Sequence, residues 1–177
     1  MRTVIRNITK NNDIELELPI SERDLSIFLN KNDEYIIVDY DLKSLDLPEY
    51  CNIHELNEFL LDCREKSISD TILGILGSAC TYQEVREIIE KNTYCIINFS
   101  EETAAWNNGS GGDFHDDYDK GILVHEHGVR FEFESEYPIV EKMRNYIQWV
   151  QLWYIAESKN WEAVTYNNVN YLLYTPL

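Results

Sequence analysis

Residues 32–62, NDEYIIVDYD-LKSLDLPEY-CNIHELNEFLLD, decide the fold. The first piece predicts a strand over 34–40, because Tyr35, Ile36, Ile37, Val38 and Tyr40 are β-branched, aromatic or large apolar residues. Pro48 stops the connection that follows. The last piece predicts a helix with a clear division of faces. Ile53, Leu56, Phe59, Leu60 and Cys63 share one side at 100° per residue, and Glu55, Glu58, Asp62 and Glu65 share the other. Asn52 with Glu55 has the pattern of a capping box at the helix start. The apolar face fixes the helix to a core, and the outer face is a line of carboxylates.

Upstream of this stretch, residues 3–8 predict a first strand and Asn11-Asn12-Asp13 a turn. Residues 14–18 alternate apolar and acidic, so Glu15 and Glu17 point to solvent from a half-buried strand that Pro19 ends. Ser21 caps a short helix over 22–29, with acids in its first turn as the helix dipole favours. Together these elements make a β-β-α-β-α first domain over 1–65.

Downstream, residues 66–100 predict a small second domain. It holds a short buried helix over 70–77, a helix over 82–90 opened by a Thr81/Glu84 capping box, and a strand over 94–99. Val85, Ile88 and Ile89 face inward, while Glu84 and Glu87 face out. Residues 101–177 form a third region. Ser100 is expected to cap a short helix over 101–106. Residues 107–120 carry Gly109, Gly111 and Gly112, and read as a flexible loop with Asp113, Asp116, Asp117 and Asp119 clustered behind the glycines. A hairpin is expected from strands 121–126 and 129–134 around His127-Gly128, with Arg130, Glu132 and Glu134 outward. The longest helix spans 139–157. Its apolar residues exceed one face, so Trp149, Trp153 and Tyr154 are candidates for an interface, homodimeric or with a partner. A hairpin over 163–166 and 169–174 closes the chain. The fold class is α+β, in two or three small domains, each a short mixed or antiparallel sheet with packed helices.

A charged outer face is ordinary for an amphipathic helix. The imbalance of the whole chain is not: 32 acidic residues stand against 15 basic ones, a net charge of −17 on 177 residues. Solubility needs a magnitude of only roughly 2–8 in a small domain, and the excess costs stability through self-repulsion. The field repels nucleic acid and membrane surfaces, and it steers association with basic proteins. A hydrophobic fraction of 44% and an aromatic fraction of 12% mark a folded protein, not an acidic disordered tail. No apolar run is long enough to span a bilayer, and the N-terminal residues lack a signal-peptide pattern, so a cytoplasmic protein is expected. Cys51, Cys63, Cys80 and Cys95 have neither CxxC nor zinc spacing, which predicts free thiols.

Motifs for chemistry are sparse. There is no phosphate-binding GxxxxGK[ST], no GxGxxG after a strand, no GxSxG and no HExxH. The glycines at 109–112 are followed by aspartates that would repel phosphate. One set could carry chemistry: His115, Asp116, Asp117, Asp119, His125, Glu126 and His127. With His125 and His127 on one face of a strand, it would make a transition-metal site and a metal-dependent enzyme. The plainer reading is an acidic loop meeting a hairpin end. The expectation is therefore no enzyme, no catalytic residue, no metal and no cofactor.

Leu18-Pro19 before an acidic helix, Glu34-Tyr35 through Asp39-Tyr40-Asp41, then Glu49-Tyr50, Asn52-Ile53 and Glu55-Leu56-Asn57-Glu58 follow in order. This series resembles the first domain of the ArdA antirestriction family. The family's Gly-x-Trp before Leu-Pro is missing. The likeness continues weakly through residues 73–99 and fades from about residue 100. It implies an elongated acidic protein that mimics bent B-form DNA, occupies the DNA groove of type I restriction-modification enzymes, and often dimerises through the C-terminal domain. The composition agrees, because DNA-binding enzymes draw most of their affinity from phosphates contacted by Lys and Arg. The expected contact surface is Glu15, Glu17, Glu55, Glu58, Asp62, Glu65, Glu84, Glu87, Asp113, Asp116, Asp117, Asp119, Glu132 and Glu134. The expected partner is a DNA-binding defence enzyme, either a restriction-modification complex or a Cas nuclease inhibited in an anti-CRISPR role. No direct contact with nucleic acid or membrane is expected.

Overall fold

A computed structural model describes residues 1–106, 113–129 and 149–176. The chain is mixed α+β and divides into two compact units, Met1–Lys91 and Asn92–Leu177. The expected boundaries at 65 and 100 fall inside these units. Helices at 70–79 and 82–91 belong with the first, and the strand near 95 belongs with the second.

In the first unit, β1 (Arg2–Asn7) lies between β2 (Asn12–Glu17) and β3 (Tyr35–Tyr40), antiparallel to both. Thr3, Ile5 and Asn7 of the central strand are buried, as a period of two requires. The register to β3 slips by one residue between Val4 and Ile5, a bulge. Ser21 caps α1 (Glu22–Phe28) by accepting from the Asp24 N–H. Asn52 caps α2 (Ile53–Glu65) by accepting from the His54 N–H. The five residues predicted to form the apolar face of α2 are all buried.

The α2 helix ends in a Schellman motif, with Ile68 N–H on Cys63 O and Ser67 N–H on Arg64 O, and Ser67 takes φ 59°. Next come α3 (Asp70–Ala79) and α4 (Tyr82–Lys91). The predicted capping box of α4 is present and reciprocal: Thr81 N–H donates to Glu84 Oε2 at 2.8 Å, and Glu84 N–H to Thr81 Oγ1 at 3.4 Å. Gly77 of α3 lies against the short 3-10 turn Lys43–Leu45, where a Cβ would come within 2.5 Å of Ser44 O.

The second unit holds a sheet in the order β4 (Cys95–Asn98), β6 (Val169–Tyr174), β5 (Trp161–Tyr166), all antiparallel. Asn167 and Asn168 take φ 50° and 62°, the type I′ turn that a two-residue hairpin needs. The helix α5 (Phe99–Trp106) is capped from Asn98, whose side chain accepts from Glu101 N–H. Ser100, the expected cap, instead accepts from Asn170 N–H of β6.

The largest departure is at residues 121–126, expected as a strand. They form the end of α6 (Asp117–Glu126). Asp116 accepts from Tyr118 N–H and caps the helix, and Asp117 and Asp119 fill its first turn, where the dipole favours anions. The apolar run Gly-Ile-Leu-Val has strand propensity, but capping and packing override it. His127-Gly128 is therefore no hairpin turn. It closes α6 as a Schellman motif: Val129 N–H bonds Val124 O, Gly128 N–H bonds His125 O, and Gly128 supplies φ 103°. Of the other expected strand, at 129–134, residues 130–134 lie outside the described residues, as do residues 107–112 of the expected loop at 107–120.

Of the long helix, the described part is α7 (Trp149–Glu157), and residues 139–148 lie outside the described residues. Its crossing with α6 is close, since a Cβ on Gly121 would fall 1.9 Å from Trp149 O. The core joins Phe99, Leu123, Val124, Leu152, Trp153, Ala156, Trp161 and Leu172.

Candidate acidic interface

The carboxylates of the first unit divide into those that hold the fold and those that face solvent. Arg6 binds Asp13 with two hydrogen bonds at 2.7 and 2.9 Å across the β1–β2 hairpin. Lys10 reaches Asp33 at 2.7 Å, and Asn7 Nδ2 donates to the same oxygen at 2.9 Å. The Asp33 side chain is only 8% exposed. Lys43 pairs with Asp39 one turn away. In each case the hydrogen bond to the cation is the leading cause holding the carboxyl below its ordinary value. These three acids are anchors.

The expected contact residues divide the same way. Glu15 and Glu17 are exposed on the edge strand β2, as predicted; Glu15 is 2.7 Å from Arg2. On α2, Glu55, Glu58 and Glu65 are exposed and Asp62 is half-buried. Asp62 binds Lys66 at 2.8 Å, and Glu55 lies 3.8 Å from Arg86. Glu17, Glu58 and Glu65 have no ion-pair partner among the described residues. Glu84 is taken up by the capping box, which lowers its pKa, and Glu87 lies 3.4 Å from Lys91. The expected stripe is therefore part ion pairs and part open charge. Exposed pairs of this kind contribute roughly 0–1 kcal/mol each to stability.

Several acids that the pattern did not single out add to the same charge. Glu34, Asp41, Asp46 and Glu49 are exposed around β3 and the 3-10 turn. Glu22 at the start of α1 reaches His54 Nδ1 at 3.3 Å and Asn57 Nδ2 at 3.2 Å, which places it beside the first turn of α2. Asn57 is fully buried. Its side chain accepts from Ile20 N–H and donates to Ile20 O, both at 2.9 Å, which fixes the chain after Pro19 against α2. A signal for it was legible: it lies on the apolar arc with Ile53, Leu56 and Leu60, where a polar group must find a partner.

In the second unit, the aspartates expected to form a flexible contact loop begin a helix. Asp113 accepts from His115 N–H, Asp116 caps α6, and Asp117 binds Lys120 at 3.0 Å. Lys120 is 8% exposed, and its ammonium lies over the rings of Phe114 and Trp153 at 5.4 and 5.2 Å. Asp119 is partly desolvated beside Asp116 and Asp113, and its pKa is raised, first by burial and then by those charges. Glu132 and Glu134 lie outside the described residues.

The arrangement does not assemble the Asp/His set of the metal-enzyme reading. Asp116 and Asp117 are at one end of α6, while His125 and His127 are at the other, about 12 Å along the axis at 1.5 Å per residue. The His125 ring packs edge-on against Trp149 at 5.2 Å. Among the described residues no group of three His, Cys, Asp or Glu could hold a metal ion. The four cysteines form no disulfide. Burial pushes the Cys63 thiol up to about 12 and raises those of Cys51 and Cys95, so none of these three is poised as a thiolate.

The aromatic candidates also separate. Trp153 is 1% exposed and central to the core, which overturns its place in an interface. Trp149 packs against that core, and Tyr154 is 57% exposed.

No described helix is long and apolar enough to cross a membrane. No protein-family model and no curated protein matches the chain.

Proposed function

We propose that the chain is a DNA-mimic inhibitor that occupies the nucleic-acid groove of a host-defence enzyme, in the first place a type I restriction-modification complex. The observation that carries the reading is open carboxylate on two regular elements of one unit. Glu17 lies on β2, Glu58 and Glu65 lie on α2, and none has an ion-pair partner among the described residues, in a chain of net charge −17. Alternate strand residues repeat every ~6.7 Å and helical turns every ~5.4 Å, so fixed elements present charge at intervals a basic groove can engage. Phosphate contacts position a duplex and carry no sequence, so a mimic needs no base-like groups. It also needs no catalytic group.

The binding energy is spread over many residues, because exposed charges contribute roughly 0–1 kcal/mol each. Glu58→Gln alone should change little. The triple variant Glu17→Gln, Glu58→Gln, Glu65→Gln should weaken inhibition while the protein stays folded.

The direct test is displacement of labelled duplex DNA from a purified type I complex across a salt series, with a Cas nuclease loaded with its guide as a second target. Displacement should be competitive and should weaken as salt screens the charges. Binding that ignores salt and leaves the duplex in place would overturn the proposal. The target displaced at the lower inhibitor concentration identifies the enzyme class.

A further inference from the structure

The sheet of the first unit has two edges, β2 and β3, and every residue of that unit is described. The β3 edge is interrupted by the bulge opposite Val4 and Ile5, which twists a strand away from further pairing. The β2 edge is regular. It pairs with β1 residue for residue, from Arg2 opposite Glu17 to Asn7 opposite Asn12, without a slip. Just beyond, Leu18 N–H donates to Met1 O at 2.9 Å and the Met1 ammonium donates to Leu18 O at 2.7 Å, so this pair exchanges both main-chain bonds. Bonded pairs alternate along an antiparallel ladder. Leu16, Ile14 and Asn12 therefore turn their main chain toward β1, and Glu17, Glu15 and Asp13 turn theirs outward. Among the described residues nothing bonds to the main chain of these three.

The same three residues carry the charge of the strand. Asp13, Glu15 and Glu17 share a sheet face with Arg6, Val4 and Arg2, while Ile14 and Leu16 lie opposite Ile5 and Thr3 on the buried face. Arg6 takes up Asp13 and Arg2 takes up Glu15, each from the β1 side, and Glu17 has no ion-pair partner among the described residues. The strand itself, NDIELE, holds no basic residue. A second copy of this edge would set acid against acid, and like charges directly opposite destabilise a ladder. The complementary strand carries Lys or Arg opposite the acids and apolar residues opposite Ile14 and Leu16.

We propose that β2 is a docking edge, to which an extended segment of a partner protein, alternating basic and apolar residues, adds as an antiparallel fourth strand. The basic residues of that segment lie opposite Asp13, Glu15 and Glu17 and exchange main-chain bonds with them. Its apolar residues continue the buried face beside Ile14 and Leu16. The proposal stands apart from the proposed inhibition, because it is read with a peptide alone, with no enzyme and no duplex present.

The test is fluorescence anisotropy of a labelled, end-capped peptide that alternates lysine and valine, about eight residues long, titrated with the full chain. The peptide should bind, and its glutamate–valine counterpart should not. Two isomers separate strand addition from charge attraction: one is N-methylated on every lysine, the other on every valine. They share charge and composition. In the proposed pairing only the lysine N–H groups face β2, so lysine methylation should weaken binding at least about tenfold relative to valine methylation. Glu17→Lys, at an exposed position, should weaken the unmethylated peptide about tenfold. Glu157→Lys, an equal change of charge at the exposed end of α7, should leave it unmoved. Equal binding of the two isomers, equal effects of Glu17→Lys and Glu157→Lys, binding of the glutamate–valine peptide as tight as that of the lysine–valine one, or failure of the latter to bind below millimolar concentration would each overturn the proposal.

Discussion

The carboxylates of the first unit and those at the start of α6 are the same chemical group in opposite surroundings. Asp13, Asp33 and Asp39 each face a cation within hydrogen-bonding distance and are held ionised. Asp113, Asp116 and Asp119 crowd one another as a helix begins, and Asp119 is the one whose charge the fold disfavours. A net charge of −17 is thus not spread evenly in energetic terms. Asp13, Asp33 and Asp39 hold the first unit together with basic partners and Glu84 does so through Thr81, the open acids lie on the surface, and at α6 the helix dipole offsets part of the repulsion. The two units can be read apart in solution. All four tryptophans, Trp106, Trp149, Trp153 and Trp161, belong to the second unit, so their emission reports that unit while far-ultraviolet circular dichroism reports both.

The largest separation of the units should come from Trp153→Glu. Removing a buried Trp costs about 3–5 kcal/mol, and a carboxylate left in its place adds a desolvation penalty. Tryptophan emission should shift to the red, and only part of the helical signal should be lost. A folded variant with unchanged emission would show that Trp153 is not core. Gly121→Ala should be the next largest, at about 1–3 kcal/mol, because its Cβ would require α6 and α7 to move apart. It should lower the emission-detected melting temperature. Tyr154→Ala, on the exposed side of α7, should change stability by no more than about 0.5 kcal/mol.

The first unit was legible because each signal is local. Ser21, Asn52 and the Thr81/Glu84 box mark helix starts, the alternation from Ile14 to Leu18 marks an edge strand, and the faces of α2 and α4 follow from spacing alone. The α6 helix is hidden in the sequence because Gly121-Ile122-Leu123-Val124 favours a strand and the cap lies inside a run of aspartates that has the composition of a loop. Asp116 with Asp119 three residues on is itself a helix-start pattern, and His127-Gly128 is as good a C-terminal signal as a turn. Lys120 and Trp153 could not be placed from sequence, because what buries them is the approach of α6 to α7 that Gly121 permits. Of the site, the exposure of Glu15, Glu17, Glu55, Glu58 and Glu65 was legible from period; which of them are paired depends on Arg2 and Arg86, which are distant in sequence.

Asn57→Ala should act on the first unit only. It strands Ile20 N–H and Ile20 O, and an unsatisfied buried group costs about 1–3 kcal/mol. Dichroism should show an earlier transition while tryptophan emission melts as before. A matching shift in the emission curve would mean that the two units do not melt independently.

The smallest and most specific effect is in the response to acid. The lowered carboxyls of Asp13, Asp33 and Asp39 contribute stability that is present above their ordinary value of 3.8. That stability is lost as pH falls from there through the lower native values, because the unfolded chain then binds more protons than the folded one. Asp119 has the opposite sign. Its native pKa lies above 3.8, so its charge opposes folding at neutral pH, and the penalty fades as pH falls through the raised native value toward 3.8. Asp33→Asn should therefore lower the dichroism-detected melting temperature at pH 7, and the difference should vanish once the pH is below the lowered native value. Asp119→Asn should raise the emission-detected melting temperature at pH 7, and that difference should vanish near pH 3.8. The opposite signs, each reported by its own probe, are what the comparison of the two units requires. If Asp119→Asn instead lowers the second unit's melting temperature at pH 7, the helix-start interaction of Asp119 outweighs the repulsion from Asp113 and Asp116, and the contrast between the two acidic regions fails.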